Sequence, residues 1–343
     1  AGGMRGRNLL AEAWRISELT QPLESDAAKG LPEAEFREHR QSLLRVRADV
    51  FFNRGNWKRA EVALQALRTL ALVLEDEAEI AHAGLQLGVT LRRLGRSAEG
   101  LSLVEDVLEQ ARKRKDRGVV TSAMSRLAAF AWADGDWNTC ERLANQGLVS
   151  ASTESRAPLL VSLSAVQASR GELALATEGL SEAESIFKSQ LEKRSQSIVL
   201  GNLGELLGIQ GQFEEALQRC DEGMSLASDV LFKEGEAFLT RIRASILLEV
   251  GDLGGAEAGL NKSLAMSEDV GCVDDELAAR YLLGRHALLT GRAQRARTQF
   301  EAGLKCSKAL DPEAYEPALQ ASLARALCLL GHLDAAEQIL ISL

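Results

Sequence analysis

Residues 199–224 read VLGNLGELLGIQGQFEEALQRCDEGM. Before Gly211, the residues Val199, Leu200, Leu203, Leu206 and Leu207 recur with the 3.6-residue period of a helix buried along one side. After it, Phe213, Ala216, Leu217, Cys220 and Met224 continue the period in a second amphipathic helix. The glycine between them predicts a helix end, because a left-handed residue there costs glycine little. Gly204, seven residues before, and Ala216, five after, are both small. Small residues let two helix backbones approach closely where they cross. The stretch therefore predicts a helix–turn–helix.

The same phrase recurs along the chain. It reads GNWKRA at Gly55, GRSAEG at Gly95, GDWNTC at Gly135, GELALA at Gly171, GQFEEA at Gly211, GDLGGA at Gly251, GRAQRA at Gly291 and GHLDAA at Gly331. Successive glycines are 40 residues apart, except for 36 between Gly135 and Gly171. The first small slot holds Ala48, Gly88, Ala128, Ser164, Gly204, Ala244, Gly284 and Ala324. The second holds Ala60, Gly100, Cys140, Ala176, Ala216, Ala256, Ala296 and Ala336. A helix pair of this kind cannot bury its apolar face alone and must stack on its neighbours. The expected fold is all-α: a helix–turn–helix repeat solenoid of about eight repeats, over 34–74, 75–114, 115–152, 153–190, 191–230, 231–270, 271–310 and 311–343.

Composition agrees. Of 343 residues, 46% are hydrophobic and 26% charged, which suffices for a core; aromatics are only 4%, which disfavours a β protein. The formal charge of −9 argues against a broad nucleic-acid or anionic-membrane surface. Cys140, Cys220, Cys272, Cys306 and Cys328 are odd in number and far apart, with no C-x-x-C. That is no disulfide framework and suits a reducing compartment. Apolar runs such as Leu70–Leu74 are far too short to span a bilayer. The expected location is the cytoplasm.

The frame of small residue, seven residues, Gly, x, aromatic, x, x, Ala resembles the tetratricopeptide repeat family, best at Leu203, Gly204, Gly211, Phe213 and Ala216. The resemblance covers about residues 34–343. The repeat is 40 residues where the family's is usually 34, and the usual proline near the end of the second helix is missing. Longer helices of this kind are similar to the variant in spindle-orientation adaptors, kinesin light chains and the sensor regions of bacterial signalling ATPases and transcription activators. Residues 1–33 read as part of a preceding repeat and a linker, with Gly6 and Ala11 in the glycine and small slots of a helix over 7–20. The last unit stops inside its second helix without a polar cap. A piece of a larger protein and a natural, frayed end both fit. The fourth unit starts four residues early, about one helical turn. This implies either a local change of curvature or a trimmed loop, with Pro158 in a helix first turn.

Chemistry-bearing motifs are scarce. The sequence has no G-x-x-x-x-G-K-[ST], G-x-S-x-G, H-E-x-x-H or calcium loop. Ser185–Lys188 fits S-x-x-K but lacks the companion K-T-G and falls on a helix face. His39, His82, His286 and His332 show no ligand-like spacing. Asp274 and Asp275 read as an acidic helix start. The run Arg112–Lys115 reads as the C-terminal turn of a helix, where cations suit the partial negative charge, ahead of a nucleic-acid patch. Trp57 and Trp137, two residues after their glycines, are expected in the core, as are Cys140 and Cys220. No metal, cofactor or catalytic residue is expected, and the chain reads as no enzyme.

In the family, the first helices line a concave groove. The resemblance places there Ser42, Arg45, Asp49, Phe52 and Asn53 from unit one, and His82, Leu85, Gln86, Val89, Arg92 and Arg93 from unit two. Unit three gives Ser122, Ser125, Arg126, Ala129 and Trp132. Unit four gives the small or apolar Pro158, Val161, Ala165 and Ala168. Unit five gives Ile198, Asn202, Glu205 and Ile209, and the last three give Phe238, Arg241, Ser245, Glu249, Tyr281, Arg285, Ala321 and Arg325. Seven arginines against Asp49, Glu205 and Glu249 make a groove of about +4, with Arg92, Arg93 and Arg126 expected as one basic patch. Asn202 matches an asparagine that grips a peptide backbone in some members; the lysines of the family's carboxylate clamp are not matched. The expected function is a non-enzymatic scaffold that binds a protein or peptide, with acidic residues, in an Arg-rich groove. The alternative is a sensor or regulatory module of a larger signalling protein, binding a small molecule or a neighbouring domain of a longer parent chain.

Overall fold

The turn inside each repeat is set by its glycine. Gly55, Gly95, Gly135, Gly171, Gly211, Gly251, Gly291 and Gly331 all have φ between 70° and 91° in a computed structural model that describes residues 33–307 and 316–343. A Cβ at seven of these glycines, Gly211 among them, would meet nothing within 4 Å. Backbone handedness, not crowding, selects glycine here. The positive φ lets the next two amides close the helix: Gly211 N–H donates to the Gly208 carbonyl at 3.0 Å and Gln212 N–H to Leu207 at 2.9 Å.

The described residues form sixteen α-helices and contain no strand. First helices are α1 Glu33–Asn53, α3 Glu77–Arg93, α5 Arg117–Ala133, α7 Ala157–Ser169, α9 Lys193–Ile209, α11 Lys233–Val250, α13 Val273–Leu289 and α15 Glu316–Leu329. Second helices are α2 Trp57–Leu74, α4 Ser97–Arg114, α6 Trp137–Ser150, α8 Leu173–Ser189, α10 Phe213–Asp229, α12 Leu253–Val270, α14 Ala293–Ser307 and α16 Leu333–Ser342. Side chains cap several of them. Asn56, Asp136 and Asp252 accept from the first turns of α2, α6 and α12, and Asp76 and Asp116 from those of α3 and α5.

All sixteen small slots are buried. At the α3–α4 crossing, Gly88 faces Gly100 so closely that a Cβ on Gly88 would lie 3.0 Å from the Gly100 carbonyl oxygen. Gly284 leaves room for a ring instead: its Cβ would stand 2.6 Å from Phe300 Cζ.

The chain divides into two compact units, one built on α1–α8 and the other on α9–α16. In the first, each helix packs on the next from α1 to α8, and the first helices α3, α5 and α7 also pack on one another in series. Its core joins Leu64, Leu67, Leu87 and Leu91, then Val104, Met124, Leu127 and Phe130. In the second, α11 to α16 pack in sequence, and α11, α13 and α15 form the corresponding layer. Its core runs through Leu207, Ile242 and Ile246, then Leu260 and Leu283, then Leu277, Phe300 and Leu323.

The irregular fourth repeat shortens its elements, as a deletion of one helical turn implies, and not by trimming a loop. The missing residues come out of helices: α6 has 14 residues and α7 has 13, where α4, α5 and α8 have 17 or 18. Ala151 ends α6 in extended backbone and Thr153–Ser155 form a short 3₁₀ turn. Pro158 does sit in the first turn of α7. Four other turns between repeats pass through left-handed residues that are not glycine, Glu75, Lys115, Leu191 and Leu231, while the turn after α12 uses Gly271.

Cys140 and Cys220 are fully buried, as expected. The tryptophans differ from each other. Trp57 is 8% exposed, edge-on to Phe52 at 5.6 Å, with Arg93 over its ring at 5.9 Å. Trp137, expected in the core, is 42% exposed. Ser169 stands in its repeat where Arg93 stands for Trp57, and cannot cover a ring. Lys113 pairs with Glu109 at 2.6 Å and Arg114 with Glu77, so the basic run serves the end of α4. Among the described residues no helix is long and apolar enough to cross a membrane. The expected helix over 7–20 lies outside the described residues.

Candidate partner-binding face

The layers of first helices carry every candidate residue. Most of the candidate arginines are already engaged. On α1, Arg45 donates to Glu79 of α3 at 2.9 Å. Asp49 accepts from Gln86 Nε2 at 3.0 Å and lies 3.4 Å from His82 Nε2. Arg92 holds both oxygens of Asp134 and lies 5.0 Å over the Phe130 ring. On α11, Arg241 donates to Asp275 at 3.1 Å and lies 5.3 Å over Phe238; the pair is only 14% and 11% exposed. Arg285 donates to Glu249 at 3.1 Å.

Glu79, Asp134 and Asp275 are the carboxylates that sequence reasoning did not count. With Asp49, Glu205 and Glu249 they leave the seven arginines facing six acids. A signal for two of them was present: Arg45–Glu79 and Arg241–Asp275 are both 34 residues apart and join the same repeat positions. Where Arg45 and Glu79 stand, the second and third repeats have Leu85 and Val119, so the same slot is filled by an apolar contact.

The remaining candidates divide by environment. Arg92, Arg93 and Arg126 take three separate settings: Arg92 is bound to Asp134, Arg93 covers Trp57, and Arg126 meets no carboxylate, ring or other acceptor among the described residues. Arg126 is half-buried in mid-α5, and burial holds its pKa below that of a free arginine. Arg325 is exposed on α15 and makes no ion pair among the described residues. Asn202 is half-buried with no hydrogen bond to its amide among the described residues. Tyr281 lies 6.2 Å from Phe300 and packs against the core. Phe52, Leu85 and Ser125 are buried in their own layer rather than presented. Trp132 is exposed, as are Ile209, Leu289 and Leu329. These last three share one repeat position, two residues before the turn glycine.

Some buried polar atoms of the first unit's layer form no hydrogen bond among the described residues. Glu79 Oε1, His82 Nε2 and Gln86 Oε1 are buried and form no hydrogen bond among the described residues. Such atoms are uncommon in native proteins.

No family model matches the sequence, and no curated protein matches it. Solved structures do. The chain aligns over 95% of its length, at 13% identity and a TM-score of 0.67, with 56% of a chain from the APC/C hetero-tetramer Cut9–Hcn1. It aligns over 90% of its length, at 12% identity and a TM-score of 0.65, with 96% of a Rap protein complexed with competence and sporulation factor. A tetratricopeptide repeat protein from Parabacteroides merdae is matched over 84% of this chain and 99% of that one, at 16% identity and a TM-score of 0.50. The fold is that of tetratricopeptide-repeat solenoids. Within that fold, a 40-residue repeat is met by helices of 17 or 18 residues in most positions.

Proposed function

We propose that this chain is a non-enzymatic, cytoplasmic scaffold that binds a protein or peptide along its first-helix layers. The observation that carries the reading is the pair Leu289 and Leu329 on the packed helices α13 and α15, apolar side chains held out of the core at a repeat position that Ile209 fills on α9 and Glu249 on α11. Exposed apolar side chains grouped on one face mark interaction surfaces. Arg325 stands one turn before Leu329 on α15 and adds an exposed cation to that face. Together they suit a partner segment with apolar anchors and an acidic residue. The structure of a Rap protein with competence and sporulation factor lends support by fold, since 96% of that chain aligns.

The test is affinity capture with the native-length protein, repeated with Leu289→Asp, Leu329→Asp and Arg325→Glu. Each substitution is exposed, so the fold should tolerate it. The partner should be lost with either aspartate. Arg325→Glu should weaken binding by about 1–3 kcal/mol, the worth of a charged hydrogen bond left unmade, and added salt should weaken it further. Partner capture unchanged by all three substitutions would contradict the reading.

A further inference from the structure

The outward face of α2 differs from those of the second helices that follow. Val62, Ala66, Thr69 and Val73 fall at i, i+4, i+7 and i+11, so they form one stripe along the helix. All four are exposed, Val62 at 68% and Val73 at 62%. The Thr69 hydroxyl already donates to the Gln65 carbonyl at 2.8 Å and asks for no further polar partner. The opposite face of α2, with Leu64 and Leu67, is fully buried in the core. At the positions of the stripe, α4, α6, α8, α10, α12 and α14 each carry a charge: Asp106, Arg142, Glu178, Glu222, Lys262 and Lys305. Only α2, among these helices, keeps the apolar spacing of a coiled-coil seam on its outer side.

The charges at the ends of α2 run against its own dipole. Its first turn holds Lys58 and Arg59 and no acid, its last turn holds no base, and Glu75 follows. Cations at a helix N-terminus and an anion at its C-terminus are both unfavourable. Arg59 lies 5.8 Å over the Phe51 ring. Lys58 and Glu75 are exposed and make no ion pair among the described residues.

Two copies of α2 laid antiparallel answer both features. The stripe is symmetric about a point between Ala66 and Thr69, so Val62 of one copy meets Val73 of the other, and Ala66 meets Thr69. The short side chains at the centre let the two axes approach closely. Each Lys58 arrives at the C-terminal end of the other α2, beside Glu75. A parallel pair would set Lys58 against Lys58 and Glu75 against Glu75, so charge selects the antiparallel direction.

We propose that the outward face of α2 is a self-complementary surface through which two copies of this chain pair antiparallel about a two-fold axis. A seam about 27 Å long gives a contact at the small end of protein interfaces, and a dimer with Kd on the order of 10–100 µM. Because α2 is a second helix, the pairing leaves the first-helix layers open, and it stands or falls separately from the function proposed above.

The experiment is sedimentation of the full chain from about 1 µM to about 1 mM. The average mass should rise from one chain toward two. Val62→Asp and Val73→Lys should each weaken the dimer about tenfold or more, and the two together should dimerise more tightly than either alone, because the antiparallel seam brings the aspartate to the lysine. Neither should lower the melting midpoint of the dilute protein, since both side chains are exposed. Direction is read a second way, on a chain whose exposed Cys328 is replaced by serine. Val62→Cys mixed with Val73→Cys should form a disulfide-linked dimer, and Val62→Cys alone should not. A monomer across the whole range would overturn the proposal. So would a dimer that neither substitution weakens, additive loss in the double variant, or a lowered midpoint that makes the stripe part of the fold. Val62→Cys linking to itself, a link from either position to residues 1–32 of the same copy, or capture of the monomer by anionic lipid vesicles through Val62 would overturn it equally.

Discussion

Gly204 has no room for a side chain. A Cβ there would stand 2.8 Å from Cys220 Sγ and 3.0 Å from the Ala216 carbonyl oxygen, across the crossing of α9 and α10. Gly204→Leu should therefore cost about 1–3 kcal/mol or more through overpacking, read as a lowered melting midpoint. An unchanged midpoint would mean that the crossing lies elsewhere. This slot was legible in the sequence because a close backbone approach excludes large residues wherever it recurs. The left-handed residues Glu75, Lys115, Leu191 and Leu231 were not legible. Their conformation is imposed by the way each second helix ends: the Lys115 N–H closes on the Ala111 and Arg112 carbonyls, whatever the side chain. The ion partners were hidden for a related reason. Arg92 and Asp134 are 42 residues apart, and only the stacking of α3 on α5 brings them together.

Between elements, one carboxylate ties three segments of the second unit. Glu257 on α12 accepts from Arg292 in the turn before α14 at 3.0 Å, and from Arg295 on α14 itself. Beside them His286, buried on α13, lies 3.0 Å from the Leu253 carbonyl through Nε2 and 3.4 Å from Arg292 through Nδ1. The two arginines, Arg292 first, hold the Glu257 carboxyl down to about 2. Its folded pKa is then below its unfolded value of about 4.3. The sign follows: the contribution is complete above the unfolded value and is lost as pH falls toward 2. Glu257→Gln should lower the melting midpoint at neutral pH and flatten its decline between about pH 5 and 2. A variant whose acid profile parallels the parent's would show that the cluster is too solvated to matter. At this scale the helix pairs were legible from their period. A shortened element in the fourth repeat was legible too, but not that α6 and α7 share it, because a four-residue deletion keeps the helical facing wherever it is taken out.

Across the whole molecule, the repeat register and the class of fold were legible, and the charge of the candidate face was not. The family-based positions all fall on first helices. They could not show that Glu79, Asp134 and Asp275 would meet the arginines, nor that Phe52 and Leu85 would turn inward. Among the described residues, the first-helix layers keep Arg126 without an ion partner in the first unit, and Arg325 beside the exposed Leu289 and Leu329 in the second. The central claim is that other proteins bind these layers and not the second helices. Site-specific photo-crosslinking in cells tests it most directly. A photoreactive residue would be placed at Ser122, Ala129 or Leu289 on first helices, and at Ser102 on a second helix, all exposed positions. The account predicts a discrete crosslinked partner from the first-helix positions and none from Ser102. The same partner crosslinking from the second helix alone would contradict it.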